Sequence, residues 1–177
     1  MKYKYLEDKK IVICFDKSPQ NHMKSLLKLI HDSLCKFGPV KYFIAIDGLE
    51  SSIDTFVESC SSENYCLYDN GKRNWLVKKF PTLFMLSEEW DDVKTLSDFV
   101  GSFNEGTMSL TFLSSHTSVV LAKQSEKDKV FSELKKYSYV EVEILPDGDA
   151  FEITASVLGY DFKDIMNWLH KHKATML

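Results

Sequence analysis

The sequence predicts an α/β or α+β fold with a mixed β-sheet, and three observations support this prediction. Strand-like apolar runs and helical patterns alternate in a β-α-β-α order at the start of the chain. About five helical patterns occur in all, and the chain closes with a β-hairpin followed by a helix. With 177 residues, 44% of them hydrophobic, the chain is long enough to bury a substantial core.

The opening begins with a continuous apolar run at residues 11–15, which is typical of a strand covered on both faces. Pro19 fits the first position of a helix that Gly38 ends. A second strand is predicted at residues 40–46 and a second helix at 49–60. This order favours a parallel pair of strands that are joined by a crossover helix.

The middle of the chain is predicted to hold three strands and a helix. Residues 65–68 and 75–77 flank an Asn-Gly dipeptide and predict a hairpin, and residues 82–86 form another apolar run. Asp91 or Asp92 fits the N-cap of the helix that follows.

A boundary at residues 104–106 leaves two organisations open. The chain is either a single compact domain over residues 1–177 or a pair of subdomains at 1–104 and 105–177. Beyond the boundary, valines and isoleucine alternate with Glu141 and Glu143, which predicts a strand at 139–145 with one polar face. The other predicted elements are strands at 108–113, 118–122 and 150–155, a turn at 146–149, and helices after Ser125 and from Asp161 to His172.

The charge distribution is lopsided. Residues 1–87 carry 13 Lys and Arg against 10 Asp and Glu, whereas residues 88–177 carry 9 against 16. An acidic surface of this kind speeds association with a basic protein, and a Trp within it can anchor the contact. The residues predicted to bind such a partner are Glu88, Glu89, Trp90, Asp91, Asp92, Glu141, Glu143, Asp147, Asp149 and Glu152. A solvated surface that keeps the protein soluble is the alternative.

Two aspartates support a different hypothesis. Asp16 and Asp47 both follow predicted strands of the opening. If those strands are parallel neighbours, the carboxylates share one sheet edge, where α/β proteins bind ligands and Mg²⁺. This would make the chain a small enzyme or a ligand-binding domain. The local alternative is that Asp16 helps to cap a helix and Asp47-Gly48 makes a turn.

Other function classes find no support in the sequence. It contains no phosphate-binding loop, zinc-ligand spacing or nucleophile motif, so neither an enzyme nor a cofactor is predicted. A net charge of −4 with a single Arg disfavours nucleic-acid binding. A charged N-terminus with a short apolar run, and four cysteines without a Cys-x-x-Cys pair, predict a cytoplasmic protein with buried, reduced thiols and no membrane span.

In composition, the chain resembles the small acidic immunity proteins that neutralise bacterial toxins. The resemblance implies a protein-binding inhibitor, immunity- or antitoxin-like, that covers the active site of a basic toxin domain, such as a nuclease, with an acidic-aromatic surface.

Overall fold

The computed structural model describes residues 1–7, 9–15, 19–69, 71, 80–100, 106–119, 121, 127–145 and 150–177. The strands in these ranges are β1 (Lys2–Glu7), β2 (Lys10–Cys14), β3 (Val40–Asp47), β4 (Tyr65–Tyr68), β5 (Thr82–Ser87), β6 (Met108–Ser114), β7 (Ser138–Ile144), β8 (Ala150–Ala155) and β9 (Thr175–Met176). The helices are α1 (Pro19–Leu34), α2 (Glu50–Glu58), α3 (Trp90–Phe99), α4 (Lys127–Lys135) and α5 (Lys163–Lys171). A 3-10 turn, Cys35–Phe37, extends α1.

One mixed sheet contains all of these strands, in the order β4-β5-β3-β6-β7-β8-β2-β1-β9. Its strand pairs are antiparallel except that β1 and β9 run parallel. Strands from both sides of residues 104–106 are neighbours in it, because β3 pairs with β6 and β2 pairs with β8. The fold is therefore mixed α+β, as predicted, with a C-terminal strand pair followed by a helix.

The predicted parallel pairing of the first two apolar strands is wrong. β2 pairs with β1 and β8, whereas β3 pairs with β5 and β6. Three strands lie between β2 and β3, which places these two strands about 19 Å apart at the usual strand spacing. Helix α1 therefore crosses from one half of the sheet to the other and does not join neighbours.

The strand predicted at 118–122 is also absent from the described part of that segment. The Asn64 side chain replaces a strand partner there, since its amide donates to the Val119 carbonyl (2.9 Å) and accepts from the Leu121 N–H (2.8 Å). Val119 and Leu121 are both buried. The apolar residues that suggested a strand thus pack in a loop that one side chain holds in place.

The prediction missed strands β1 and β9. In β1, Lys2, Tyr3, Lys4 and Tyr5 alternate between charged and aromatic residues, and Tyr3 is buried against the main core. This period of two is typical of a half-buried strand. β9 covers two residues and pairs with β1 through long-range contact, for which the sequence carries no local signal.

Helix boundaries follow local chemistry. Helix α1 begins at Pro19, as predicted. It ends through the 3-10 turn at Gly38, whose φ of 137° lies in a region that favours glycine. The predicted strand at 75–77, the helix start at Ser125 and the turn at 146–149 lie outside the described residues.

The two faces of the sheet are covered differently. Helices α1, α2, α3 and α5 contribute buried residues to the main hydrophobic core on the first face. A smaller core on the second face joins α4 to Phe43, Phe84, Leu113 and the loop that contains Val119. Among the described helices, none is long and apolar enough to cross a lipid bilayer.

Candidate functional site

Strand β7 presents two carboxylates on the second face of the sheet. Val140, Val142 and Ile144 are fully buried, and Glu141 and Glu143 occupy the alternate positions. The alternation predicted from the sequence is therefore present. Glu141 is exposed and Glu143 is half-buried, so both side chains are accessible from the second face.

A third carboxylate lies directly across from this strand. The register of β7 and β8 pairs Glu143 with Glu152. Like charges in directly opposed positions of neighbouring strands are destabilising. Lys10 on β2 offsets part of this repulsion through an ion pair with Glu152 (2.5 Å). Within the described residues, neither Glu141 nor Glu143 forms an ion pair.

The local field disfavours the charge on Glu141. Partial burial and, to a smaller extent, the Glu143 carboxylate raise the pKa of the Glu141 carboxyl. Lys135 and Lys10 act in the opposite direction but do not reverse the shift. A cationic group that approached this face would therefore lower the electrostatic free energy of the carboxylates.

A cavity of about 230 Å³ adjoins these carboxylates and contains Asp47, the last residue of β3. Thr82 donates a hydrogen bond to the Asp47 carboxylate (2.5 Å), and Thr107 donates a longer one (3.5 Å). Glu141 and Glu143 also line this cavity. We call Asp47, Glu141, Glu143 and Glu152 the acidic face.

The acidic face joins residues that the sequence had assigned to two different hypotheses. Glu141, Glu143 and Glu152 belong to the predicted partner surface, whereas Asp47 was paired with Asp16. Asp16 lies outside the described residues, and the separation of β2 from β3 removes the argument for placing it beside Asp47. Among the described residues, no group of three or more His, Cys, Asp or Glu side chains has a metal-binding arrangement.

The second acidic segment begins where β5 ends, and we call Glu88, Glu89, Trp90 and Asp91 the acidic turn. Glu88, Glu89 and Asp91 are exposed. Glu88 forms an ion pair with Lys41 (2.7 Å), and Asp91 forms one with Lys94 (2.5 Å). These three carboxylates are accessible to a partner, although two of them already have cationic neighbours.

Trp90 does not project from the acidic turn as a free anchor. Its ring stacks on His31 of α1, with ring centroids 4.5 Å apart and planes inclined by 23°. It also lies 5.9 Å from the Tyr42 ring and packs against the main core. The indole is half-buried and mainly fastens α3 to α1.

Asp92 is a structural residue, so its assignment to the partner surface is corrected. It is 1% exposed. Its carboxylate accepts hydrogen bonds from the Ser61 N–H (2.7 Å), the Ser62 N–H (3.2 Å) and the Ser87 hydroxyl (2.6 Å). Asp92 therefore ties the start of α3 to the end of β5 and to the segment after α2.

The two acidic segments do not merge into one acidic-aromatic surface. Trp90 and α3 pack on the first face of the sheet, whereas Glu141 and Glu143 lie on the second. Asp147 and Asp149 lie outside the described residues. The structure also adds Thr82, Thr107 and Lys10 to the site. None of them has a sequence signal, because only the pairing of distant segments brings them there.

A Cys–His contact on α1 is the arrangement closest to a catalytic pair. The Cys35 sulfur lies 3.6 Å from His31 Nδ1 and 3.5 Å from His31 Nε2, and the Tyr42 hydroxyl lies 2.7 Å from Nδ1. Partial desolvation and the nearby Asp32 carboxylate raise the pKa of the Cys35 thiol, which disfavours the thiolate form that a nucleophile needs. Cys35 is exposed, contrary to the predicted burial, and all four cysteines are free.

Comparisons with known proteins add no functional information. No protein-family model, curated protein or solved structure matches this chain. Functional inference therefore rests on the acidic face and the acidic turn.

Proposed function

We propose that this chain is a protein-binding inhibitor, immunity- or antitoxin-like, that neutralises a basic toxin domain by covering its active site. The acidic face is the observation that carries the proposal. It holds four carboxylates on three strands of one sheet, and two of them, Glu141 and Glu143, have no ion-pair partner among the described residues.

Charge repulsion within the acidic face indicates that the partner has a basic surface. The opposed Glu143 and Glu152 carboxylates repel each other, and the pKa of Glu141 is raised. Lys and Arg side chains from a basic surface would replace this repulsion with ion pairs. A partner of this kind gains the most from binding, whereas an acidic or neutral partner gains little.

The cavity beside Asp47 can receive a side chain of such a partner. Its wall combines the carboxylates of Asp47, Glu141 and Glu143 with the hydroxyls of Thr82 and Thr107. Arg supplies five donors in a planar fork and matches a wall of carboxylate oxygens better than Lys does. We therefore expect an Arg side chain of the partner to occupy this cavity.

The acidic turn contributes to association in a different way. Glu88 pairs with Lys41 near the start of β3, whereas Asp47 ends that strand, so the acidic turn lies along the sheet from the acidic face. Its exposed carboxylates therefore contribute to the long-range field more than to the packed contact. Rim charges of this kind mainly change association rates and their dependence on salt.

The test compares two double charge reversals that change the net charge equally. Glu141→Lys/Glu143→Lys alters the acidic face, and Asp54→Lys/Glu58→Lys alters two exposed residues of α2. Each purified chain is used to capture proteins from extracts of the native host at low salt, and the bound proteins are identified by mass spectrometry. Association rates and inhibition are then measured with the purified partner.

We expect the wild type and the α2 variant to retain one basic protein in stoichiometric amount and to inhibit it. The acidic-face variant should lose it, because its lysines repel the basic surface. Equal capture by the two variants would contradict the proposal, as would the absence of any basic partner in repeated low-salt experiments.

Binding of a small cationic ligand is a second candidate, and the cavity itself favours it. Asp47, Glu141 and Glu143 surround a volume large enough for a few atoms, without a partner protein. This retains Asp47 from the enzyme or ligand-binding hypothesis but not its pairing with Asp16. A thermal-shift screen of polyamines and small guanidinium compounds tests it, since a bound ligand should raise the melting temperature of the wild type and not of Asp47→Asn.

A further inference from the structure

An exposed apolar patch lies at the end of α1, away from the residues of the acidic face. Phe37 is 77% exposed, and Val157 and Leu158, which follow β8, are 63% and 46% exposed. Large apolar side chains that cluster at the surface mark interaction sites more often than isolated ones do. Nothing in the proposed function uses these residues.

A cavity of about 370 Å³ opens beside the patch. Phe37 and Leu158 stand at its edge, and Leu34, Tyr139 and Tyr160 form apolar parts of its wall. The Tyr160 hydroxyl is buried beside the Ser33 side chain. Because this hydroxyl is inaccessible, Tyr160 presents ring carbons to an occupant, which suits an aromatic side chain.

Backbone hydrogen bonds hold both sides of the patch in place. The Leu158 N–H donates to the Ser138 carbonyl, and the Ser156 N–H donates to the Tyr139 carbonyl, each at 2.9 Å. On the other side, Phe37 precedes Gly38, whose N–H donates to the Cys35 carbonyl (3.4 Å). A preformed surface loses little conformational entropy on binding.

The charges around the cavity are balanced. Lys36 and Lys163 oppose Asp161 and Asp164, and Lys36 lies 3.9 Å from Asp164. A rim with two charges of each sign offers no advantage to a strongly basic or acidic partner. It is complementary to itself, because a two-fold rotation can bring the lysines of one copy to the aspartates of the other.

We propose that this patch binds a second copy of the chain about a two-fold axis, with Phe37 of each copy entering the cavity of the other. In an isologous contact the same surface of both copies takes part, so each copy must supply an inserting side chain and the cavity that receives it. The exposed Phe37 ring and the neighbouring cavity lie side by side on one surface and meet this requirement. The dimer buries Phe37, Val157 and Leu158 of both copies.

The test compares two leucines with nearly equal exposure. Leu158→Ser removes an apolar side chain from the patch, and Leu67→Ser removes one from β4, where Leu67 is 45% exposed. Sedimentation equilibrium of the wild type and both variants is measured from low to high micromolar concentration. Phe37→Ser serves as a second patch variant, and circular dichroism confirms that each chain is folded.

We expect the wild type to dimerise with increasing concentration and Leu67→Ser to behave in the same way. Leu158→Ser and Phe37→Ser should weaken dimerisation at least about tenfold, because a two-fold contact loses each substituted side chain twice. A wild type that stays monomeric overturns the proposal and leaves a different protein as the occupant. A dimer that all three variants weaken equally, or that none weakens, also overturns it. Partner capture by the acidic face is measured separately and does not affect this outcome.

Discussion

Replacement of Asp92 distinguishes its structural carboxylate from the exposed carboxylate of Asp91, which we propose contributes to partner binding. Asp92 and its neighbour Asp91 are adjacent acids in the first turn of α3, yet Asp92 is 1% exposed and Asp91 is exposed. We expect Asp92→Ala to destabilise the protein strongly and Asp91→Ala to leave it nearly unchanged.

The size of the stability loss follows from the hydrogen-bond donors that lack an acceptor in Asp92→Ala. The hydroxyl of Ser87 already lies 3.4 Å from the Glu89 carbonyl and can turn toward it. The N–H groups of Ser61 and Ser62 lose the acceptor that Asp92 provides. A hydrogen bond to a charged group contributes about 1.5–3 kcal/mol, so the loss of these two part-buried bonds gives about 3–5 kcal/mol. Against a total stability of about 5–15 kcal/mol, that loss is large.

Urea denaturation followed by circular dichroism measures the effect. The midpoint for Asp92→Ala should fall while the slope stays unchanged, because the surface exposed on unfolding is the same. Asp92→Asn should lose about 2–3 kcal/mol, since it keeps one acceptor oxygen but no charge. Asp91→Ala should stay within about 0.5 kcal/mol, because its ion pair with Lys94 is exposed.

The reasoning is refuted if the free energy of unfolding of Asp92→Ala lies within about 1 kcal/mol of the wild-type value, because the loss of three hydrogen bonds to a buried carboxylate should cost more than that. Loss of partner binding by Asp92→Ala, with unchanged stability, would restore Asp92 to the partner surface.

Three further predictions concern single residues. Glu141→Gln should stabilise the protein at neutral pH, because the raised pKa of Glu141 means that its charge opposes folding. In the wild type the free-energy penalty of the Glu141 charge disappears as the pH falls through the pKa of Glu141 in the folded state toward its value in the unfolded state. The melting temperatures of the two proteins should therefore converge on acidification. A difference in melting temperature that widens on acidification would contradict this. Gly106→Ala should lower the free energy of unfolding by about 2 kcal/mol or more in urea denaturation, because an added Cβ would lie 1.7 Å from the Asp47 carbonyl oxygen. An unchanged urea midpoint would show that the backbone relaxes freely around the added methyl group. Tyr160→Phe should cost no more than about 1.5 kcal/mol, since the buried hydroxyl that it removes lies beside Ser33, whose own hydroxyl donates to Asp164. A loss above about 3 kcal/mol in urea denaturation would contradict this.

Local patterns in the sequence were sufficient to predict most elements. Apolar residues at helical spacing identified α1, with Pro19 at its start and Gly38 after its end, because these features depend on the backbone of adjacent residues. The same holds for β7, whose alternation predicted that Glu141 and Glu143 share one face.

Strand pairing could not be predicted in this way. β2 and β3 follow each other along the chain with a helix between them, which normally favours a parallel pair, but each pairs with other strands. Partners are chosen by the total packing of both faces of the sheet. The segment with Val119 and Leu121 shows the same limit, because the distant Asn64 side chain decides its structure.

The sequence by itself determined the fold class, the position of most helices and strands, and the presence of an acidic second half, because composition and periodicity are local properties. Tertiary structure alone decided what each carboxylate does. Asp91 faces solvent, the buried Asp92 carboxylate accepts three hydrogen bonds, and Asp47 lines one cavity with Glu141 and Glu143 across two strand boundaries. The chemistry of a carboxylate depends on the donors and charges around it, and residues distant in the sequence supply these only when the sheet has formed.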